Sequence, residues 1–100
     1  MPGKVKEKMQ EQVIKKFVIK NRLGLHARAA SQFVRIANSF NADISVQKNS
    51  QEVNGKSIMG ILILAAAKGA EITVKAVGND APQAVDALGE LINAGFGEED

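Results

Sequence analysis

The chain has 100 residues, of which 45% are hydrophobic and 24% charged, and its four aromatic residues are all phenylalanine. This length predicts one domain with a mostly aliphatic core. The absence of cysteine excludes disulfides and thiolate metal sites. The longest apolar run, Ile61–Ala67, is far shorter than the ~20 residues that span a bilayer. With no apolar signal segment at the N-terminus, we expect a soluble, cytoplasmic protein.

The formal net charge of +2 arises at the N-terminus. Residues 1–16 contain five lysines and two glutamates, and the rest of the chain has eight basic and nine acidic side chains. Because this remainder is almost neutral, its charge gives no reason to predict nucleic-acid binding. We divide the chain into a charged extension over residues 1–12, a domain over residues 13–97 and a solvated acidic tail over residues 98–100.

The first half of the domain predicts a strand, a loop and a long helix. Val13–Lys20 is rich in β-branched residues and alternates in polarity, which predicts a strand. Asn21–Leu25 is typical of a loop, with Gly24 as its flexible point. From Ala27 onward, apolar residues recur at spacings of three and four, which predicts an amphipathic helix that ends near Asn38–Asn41.

The middle of the chain predicts a hairpin and a short helix. Ala42–Val46 alternates as a strand does, and a polar turn connects it to a short return strand at Gln51–Val53. After a second turn, Ser57 precedes apolar residues at helical spacing. Gly69 is a suitable stop for this helix.

A strand and a helix complete the pattern. Glu71–Val77 alternates strictly and is the clearest strand of the chain. Asp80 is placed to cap the next helix, whose first turn tolerates Pro82, and Gly95 ends it. Because the strands alternate, we expect an α+β fold, in which three helices cover one face of an antiparallel sheet and the other face meets solvent.

The single histidine, His26, stands between the loop and the first predicted helix, and Arg28 follows two places on. Backbone N–H groups at a helix start carry partial positive charge and favour an anion. An imidazole offers an uncharged nucleophilic nitrogen near neutral pH, and a guanidinium can bind phosphoryl oxygens through two N–H groups. The combination suits a phosphoryl group carried on histidine. An ordinary capping histidine is the alternative.

Other chemistries lack the residues they require. One histidine and no cysteine leave too few ligands for a metal site, so we expect none. The chain has no glycine-flanked serine of the hydrolase type. The run Gly-Lys-Ser at residues 55–57 lacks the upstream glycine of a phosphate-binding loop, since Ser50 occupies that position. RNA-binding sheets need several aromatic side chains, whereas Phe17 is the single one on the predicted strands.

Two motifs resemble signatures of the histidine-containing phosphocarrier family, HPr, of the bacterial phosphotransferase system. Gly-Leu-His-Ala-Arg at residues 24–28 resembles the active-site signature of that family. Gly-Lys-Ser-Ile-Met-Gly at residues 55–60 resembles the signature around its regulatory serine. Residues 66–72 resemble the entry into the family's last strand, and the similarity spans about residues 16–97.

The resemblance implies an open-faced β-sandwich, in which three helices cover one face of a four-stranded antiparallel sheet. It also implies a phosphocarrier in sugar uptake, not an enzyme in its own right. Nδ1 of His26 would accept phosphate from enzyme I, which phosphoenolpyruvate charges, and pass it to IIA domains of sugar permeases. Arg28 and the backbone N–H of Ala27 would stabilise the phosphoryl oxygens. We expect a monomer without a cofactor, membrane insertion or a nucleic-acid partner.

Two positions qualify this resemblance. The family usually has proline where this chain has Ala29, and alanine is an excellent helix former, so we expect less rigidity without loss of function. Ser57 is predicted to cap its helix. The resemblance adds regulatory phosphorylation of Ser57 by HPr kinase/phosphorylase, which would place negative charge beside a docking interface.

The resemblance also implies a docking surface for enzyme I and the IIA domains around the second motif. We expect Met59 and Leu62 to be exposed and Ile61 to belong to the core, and methionine suits a surface that must fit several partners. Arg35 would extend a basic rim for acidic partners, or be an ordinary solvated charge. The predicted docking residues are Leu25, Arg35, Ile58, Met59, Leu62 and Ile63.

Two other functions stay open. A nitrogen-branch relative, NPr, would use the same histidine chemistry to feed a regulatory IIA protein. The ending at residues 93–100 resembles that branch, whereas the second motif favours HPr itself. A regulatory module that binds partners without carrying phosphate is the alternative from another class, and the presence of His26 argues against it.

Overall fold

Residues 11–98 are described by the computed structural model, and they form a four-stranded antiparallel sheet with three α-helices on one face. The expectations for residues 1–10, 99 and 100 lie outside the described residues. The elements are β1 (Gln12–Val18), α1 (Ala27–Asn38), β2 (Asp43–Lys48), β3 (Gln51–Asn54), α2 (Ile58–Leu64), β4 (Glu71–Val77), α3 (Ala81–Asn93) and a 3₁₀ turn at Gly95–Gly97.

The sheet has the strand order β1-β4-β2-β3, and every neighbouring pair is antiparallel. β4 lies between β1 and β2, so Phe17 is opposite Ile72 and Val46 is opposite Val74. Alternate β4 residues are fully buried, whereas Glu71 is exposed. This alternation confirms the predicted α+β sheet with one covered face and one open face.

The core lies between the covered face of the sheet and the apolar stripes of α1 and α3. Phe33 of α1 and Leu88 of α3 are completely buried there. Gly89 lets α3 approach β1, because a Cβ at this position would lie 2.7 Å from the Phe17 ring. No helix within residues 11–98 combines the length and apolar character needed to cross a bilayer.

The second helix ends earlier than predicted. α2 stops at Leu64, and Ala65 adopts the left-handed conformation with φ 50°, so the prediction of a stop at Gly69 was wrong. The chain leaves the helix here because the following segment bonds to the loop between β1 and α1. The N–H of Leu25 donates to Ala66 O at 2.9 Å, and the N–H of Ile19 donates to Ala70 O at 2.9 Å.

Asp80 occupies the predicted cap position of α3, but its carboxylate makes no capping bond there. It accepts the backbone N–H groups of Asn41 and Ala42, each at 2.8 Å, and so joins the loop before β2 to the loop before α3. These bonds, that from Asn41 first, hold the pKa of Asp80 below its ordinary value. A tertiary contact has replaced the predicted local one.

Candidate functional site

His26 is the N-cap residue of α1, with extended backbone dihedrals of φ −78° and ψ −179°. Its Nδ1 accepts the N–H of Arg28 at 3.4 Å, a long bond in the first turn of the helix. Gly24 sets the loop that delivers this residue, because its φ of +69° suits glycine and a Cβ would lie 2.4 Å from Ala66 O. The loop and the helix start therefore fix where the imidazole lies.

The other ring nitrogen of His26 contacts a carboxylate from the far end of the chain. His26 Nε2 is hydrogen-bonded to Glu98 Oε2, and the two side chains are 28% and 16% exposed. Because a carboxylate accepts, Nε2 carries the proton in this pair. Nδ1 then holds the lone pair, in agreement with the bond that it accepts from Arg28. The imidazole thus presents an unprotonated Nδ1 at the helix N-terminus.

Glu98 is brought to the histidine by the chain after α3. Phe96 is buried in the core with a φ of 57°, which is unusual for a bulky residue. The N–H of Glu98 then donates to Gly95 O at 3.1 Å. The hydrogen bond from His26, and after it the bond from Asn21, hold the pKa of the Glu98 carboxyl below its ordinary value. Glu98 is consequently a carboxylate at neutral pH.

Two arginines, Arg22 and Arg28, lie on the depression beside the ring. Arg28 is exposed in the first turn of α1, and its charge also favours the ionised form of Glu98. A shallow depression beside the imidazole is lined by Arg22, Leu23, His26, Arg28, Phe96, Gly97 and Glu98. Cationic side chains and the partial positive charge of the helix start make this depression suitable for a small anion. Within residues 11–98 there is no cluster of three potential metal ligands.

Ser57 opens α2 as its N-cap, in the structural role that the sequence predicts. Its Oγ accepts the N–H of Gly60 at 3.1 Å, and the side chain is half-buried. Regulatory phosphorylation of Ser57 stays a prediction.

Three of the predicted docking residues form an exposed apolar surface on α2. The surface consists of Ile58, Met59 and Ile63, which are 44%, 67% and 57% exposed. Arg35 is also exposed, in the last turn of α1. The burial of Ile61 in the core is as predicted.

Two of the predicted docking residues are not exposed. Leu25 is only 4% exposed and packs in the core, so little of its side chain is open to a partner, and its docking role stays a prediction. Leu62, expected to be exposed, is half-buried and packs against the core.

Sequence reasoning missed Asn21, Leu23 and Glu98. Glu98 was assigned to a solvated tail, yet it is hydrogen-bonded to a residue 72 positions earlier. The signal that could have placed it is Phe96, a large apolar residue between two glycines, since such a side chain is typical of a chain that returns to the core. Leu23, 61% exposed, adds an apolar side chain at the edge of the site.

Comparison with known proteins extends over nearly the whole domain. A sequence model of a family described as "PTS HPr component phosphorylation site" matches residues 13–94. A "Phosphocarrier protein HPr" of Neisseria meningitidis is 51% identical over 78 residues, which are 78% of this chain and 88% of that protein. The protein of the same name from Cupriavidus necator is 42% identical over 78 residues, again 78% of this chain and 88% of that protein.

Solved structures of HPr proteins superpose on most of this chain. The crystal structure of HPr-C-His from Thermoanaerobacter tengcongensis superposes with a TM-score of 0.83 at 43% identity, over 90% of this chain and 99% of that one. The HPr structure from Bacillus anthracis gives a TM-score of 0.78, also at 43% identity, over 81% and 96%. Fold and matches together define a phosphocarrier of the phosphotransferase system. The chain belongs to the HPr family.

Proposed function

We propose that Nδ1 of His26 is the atom that carries the phosphoryl group, received from enzyme I and delivered to a IIA domain. The observation that carries this proposal is that the two ring nitrogens of His26 have different partners. Glu98 occupies Nε2, and the lone pair of Nδ1 lies at the N-terminus of α1 beside Arg28. A nucleophile and an anion site therefore coincide at one atom.

The transfer step is a displacement at phosphorus that involves only the donor, the phosphoryl group and the acceptor. The Nδ1 lone pair forms a bond to phosphorus as the bond from phosphorus to the donor atom of enzyme I breaks, and the donor keeps that electron pair. Because Nε2 keeps its proton, the phosphorylated ring is cationic, and the Glu98 carboxylate offsets this charge. The reverse displacement, with an acceptor atom on a IIA domain, releases the phosphoryl group.

Arg28 and the first-turn backbone bind the phosphoryl oxygens in this proposal. The guanidinium of Arg28 stays protonated throughout and can form two parallel hydrogen bonds to them. The N–H of Ala27 belongs to the helix start, where backbone donors lack intrahelical acceptors. The site is shallow and exposed, which suits a carrier that must release its cargo.

The docking surface for both partners comprises Ile58, Met59 and Ile63, with Leu23 at the edge of the site. Its support is the exposure of these four apolar side chains; Ile14 and Val18, which are also exposed, lie on β1. Arg35 extends the basic rim toward acidic partner residues. We expect a monomer, because each partner in turn requires this surface to be uncovered.

Regulation through Ser57 by HPr kinase/phosphorylase is a separate proposal. Its support is the position of Ser57 at a helix start next to the docking surface. A phosphate there would be compatible with the helix dipole but would add negative charge among apolar docking residues. Docking to enzyme I would weaken as a result.

The nitrogen branch is a second candidate, favoured by one observation. The ending that resembles NPr includes Phe96 and Glu98, the residues that deliver a carboxylate to His26. In this alternative the phosphoryl group goes to a regulatory IIA protein. A binding module that carries no phosphate has less support, because it would not require an oriented Nδ1.

Intact mass spectrometry tests the proposal. The purified chain is mixed with magnesium, phosphoenolpyruvate and either a sugar-branch or a nitrogen-branch enzyme I. We expect one added phosphate that acid removes, and the more effective enzyme I identifies the branch. Absence of added phosphate with both enzymes would overturn the carrier proposal and favour the binding module.

A further inference from the structure

Asn21 is the one polar side chain that is almost fully buried within residues 11–98, with 2% exposed. It lies in the loop between β1 and His26. A buried polar group requires partners, and the partners of this amide both belong to the histidine site. Asn21 Nδ2 donates to Gly24 O at 2.8 Å and to Glu98 Oε1 at 3.1 Å.

These two bonds reach His26 from both sides. Gly24 O also accepts the backbone N–H of His26 at 2.9 Å, so the amide supports the carbonyl to which the histidine backbone is bonded. Glu98 uses its other oxygen for the histidine ring. One side-chain amide thus connects the backbone attachment of His26 with the carboxylate that orients its imidazole.

The orientation of the amide follows from its neighbours. Gly24 O and the Glu98 carboxylate can only accept hydrogen bonds, so the NH₂ group must face them. Oδ1 has no hydrogen-bond partner among the described residues, and Asn21 therefore acts at the site only as a donor. An aspartate of the same shape could not supply either bond when ionised.

We propose that Asn21 is a positioning residue for phosphoryl transfer, because its buried amide holds the Glu98 carboxylate on Nε2 of His26 and so keeps Nδ1 aimed at the phosphoryl donor. The inference rests on the proposed function of His26. It assigns Asn21 no contact with the phosphoryl group. The charged groups around Glu98 are His26 and Arg28, with Arg22 lining the same depression.

The first test is a double-mutant cycle on the full-length chain. Asn21→Ala should slow phosphoryl transfer from phosphorylated enzyme I about threefold to tenfold in the presence of Glu98. In a Glu98→Ala background, Asn21→Ala should change the rate less than twofold, since the carboxylate to be held is gone. An equal slowing in both backgrounds would overturn the proposal and leave Asn21 with a role in the loop alone.

Two further variants separate positioning from folding. Asn38→Ala is the matched control, because Asn38 Nδ2 also donates to a backbone carbonyl, Val34 O at 3.0 Å, away from the site. It should leave the transfer rate unchanged. Asn21→Asp preserves the volume but replaces both donors with acceptors, and it should slow transfer at least as much as Asn21→Ala. A normal rate for Asn21→Asp would contradict the proposal.

A third measurement needs neither phosphate nor a variant. In NMR titrations of the unmodified chain, the Asn21 side-chain NH₂ signals should shift with the same midpoint as the Glu98 carboxyl carbon. His26 is the single histidine, so its ring nitrogens can be followed in the same samples. Different pH midpoints for the Asn21 and Glu98 signals would overturn the positioning role. If the midpoints coincide but the chain accepts no phosphate, the proposed function is overturned instead.

Discussion

His26 and Ser57 begin helices in the same way, yet their surroundings differ. Each is an N-cap residue in extended conformation whose side chain accepts a first-turn N–H. Ser57 Oγ accepts at 3.1 Å, whereas His26 Nδ1 accepts at 3.4 Å and has its opposite nitrogen bonded to Glu98. Two arginines line the depression beside His26, whereas exposed apolar side chains follow Ser57 along its helix.

The difference shows how one local motif serves two purposes. At Ser57 the cap atom accepts the N–H of Gly60, and the exposed apolar side chains beside it form the proposed docking surface. At His26 the cap bond is weak and the ring is oriented from its other side, which leaves Nδ1 available as a nucleophile. A distant carboxylate, rather than the helix itself, makes the distinction.

The largest expected effect is the loss of phosphoryl acceptance when the cap residue His26, rather than the cap residue Ser57, is replaced. His26→Ala should abolish phosphoryl acceptance, because it removes the nucleophile, while the fold persists since the side chain is partly exposed. Ser57→Ala is the matched cap variant and should accept phosphate normally. Intact mass after incubation with enzyme I and phosphoenolpyruvate measures both. Retained labelling of His26→Ala would refute the site.

The next effect concerns the cation beside the nucleophile. Arg28→Ala should slow transfer about tenfold to a hundredfold, because hydrogen bonds from a charged donor to the phosphoryl oxygens are lost. Its melting temperature should change little, since the side chain is exposed. Lys75→Ala, which removes a basic side chain from the open face of the sheet, is the control. Equal rates for the two variants in stopped-flow transfer would contradict the Arg28 role.

A smaller effect tests the loop that delivers His26. Gly24 and Gly69 both have positive φ, but a Cβ at Gly24 would lie 2.4 Å from Ala66 O, whereas a Cβ at Gly69 would meet nothing within 4 Å. Gly69→Ala should lower Tm by about 4–8 °C through backbone strain of ~1 kcal/mol, and Gly24→Ala by at least twice as much. Equal thermal shifts would mean that the close approach to Ala66 is not a constraint.

Removal of the helix cap at Ser57 should have a comparable, modest effect on Tm. Ser57→Ala should cost about 1 kcal/mol, because the N–H of Gly60 loses its acceptor, and lower Tm by about 4–8 °C. Thermal denaturation followed by circular dichroism measures this shift. No change in Tm would indicate that the Ser57 cap bond contributes nothing to stability.

The smallest effect distinguishes the two caps by pH. The pKa of Glu98 is lowered in the folded chain, chiefly by the bond from His26, so its contribution to stability is present above the ordinary carboxyl pKa. That contribution is lost as pH falls through the lowered folded pKa. The Tm difference between wild type and Glu98→Ala should therefore shrink in acid, while the difference caused by Ser57→Ala stays constant. Parallel pH profiles would contradict the Glu98–His26 pairing.

Local patterns predicted most of the fold and half of the site. Strict alternation in Glu71–Val77 and helical spacing after Ala27 set the faces that are buried, so those elements formed as predicted. The tertiary contacts were inaccessible to such patterns. Glu98 reaches His26 only because Phe96 is anchored in the core, and α2 ends early because Ala66 bonds to the loop near Leu25.

Asp80 and Leu25 illustrate the same limit. A local rule assigns Asp80 the role of a helix cap, and the resemblance carried by the motif at residues 24–28 assigns Leu25 a role in docking. Asp80 instead bonds to the loop before β2, and the side chain of Leu25 packs in the core. Long-range partners decided both outcomes, and a pattern within a few residues of the chain does not contain them.

Nitrogen NMR of the phosphorylated chain tests the central claim most directly, since it locates the phosphate on one ring nitrogen of the single histidine. The account predicts phosphorus coupling to Nδ1 of His26, with Nε2 still protonated and bonded to Glu98. A phosphate on Nε2, or an acid-stable phosphate on Ser57 produced by enzyme I, would contradict it.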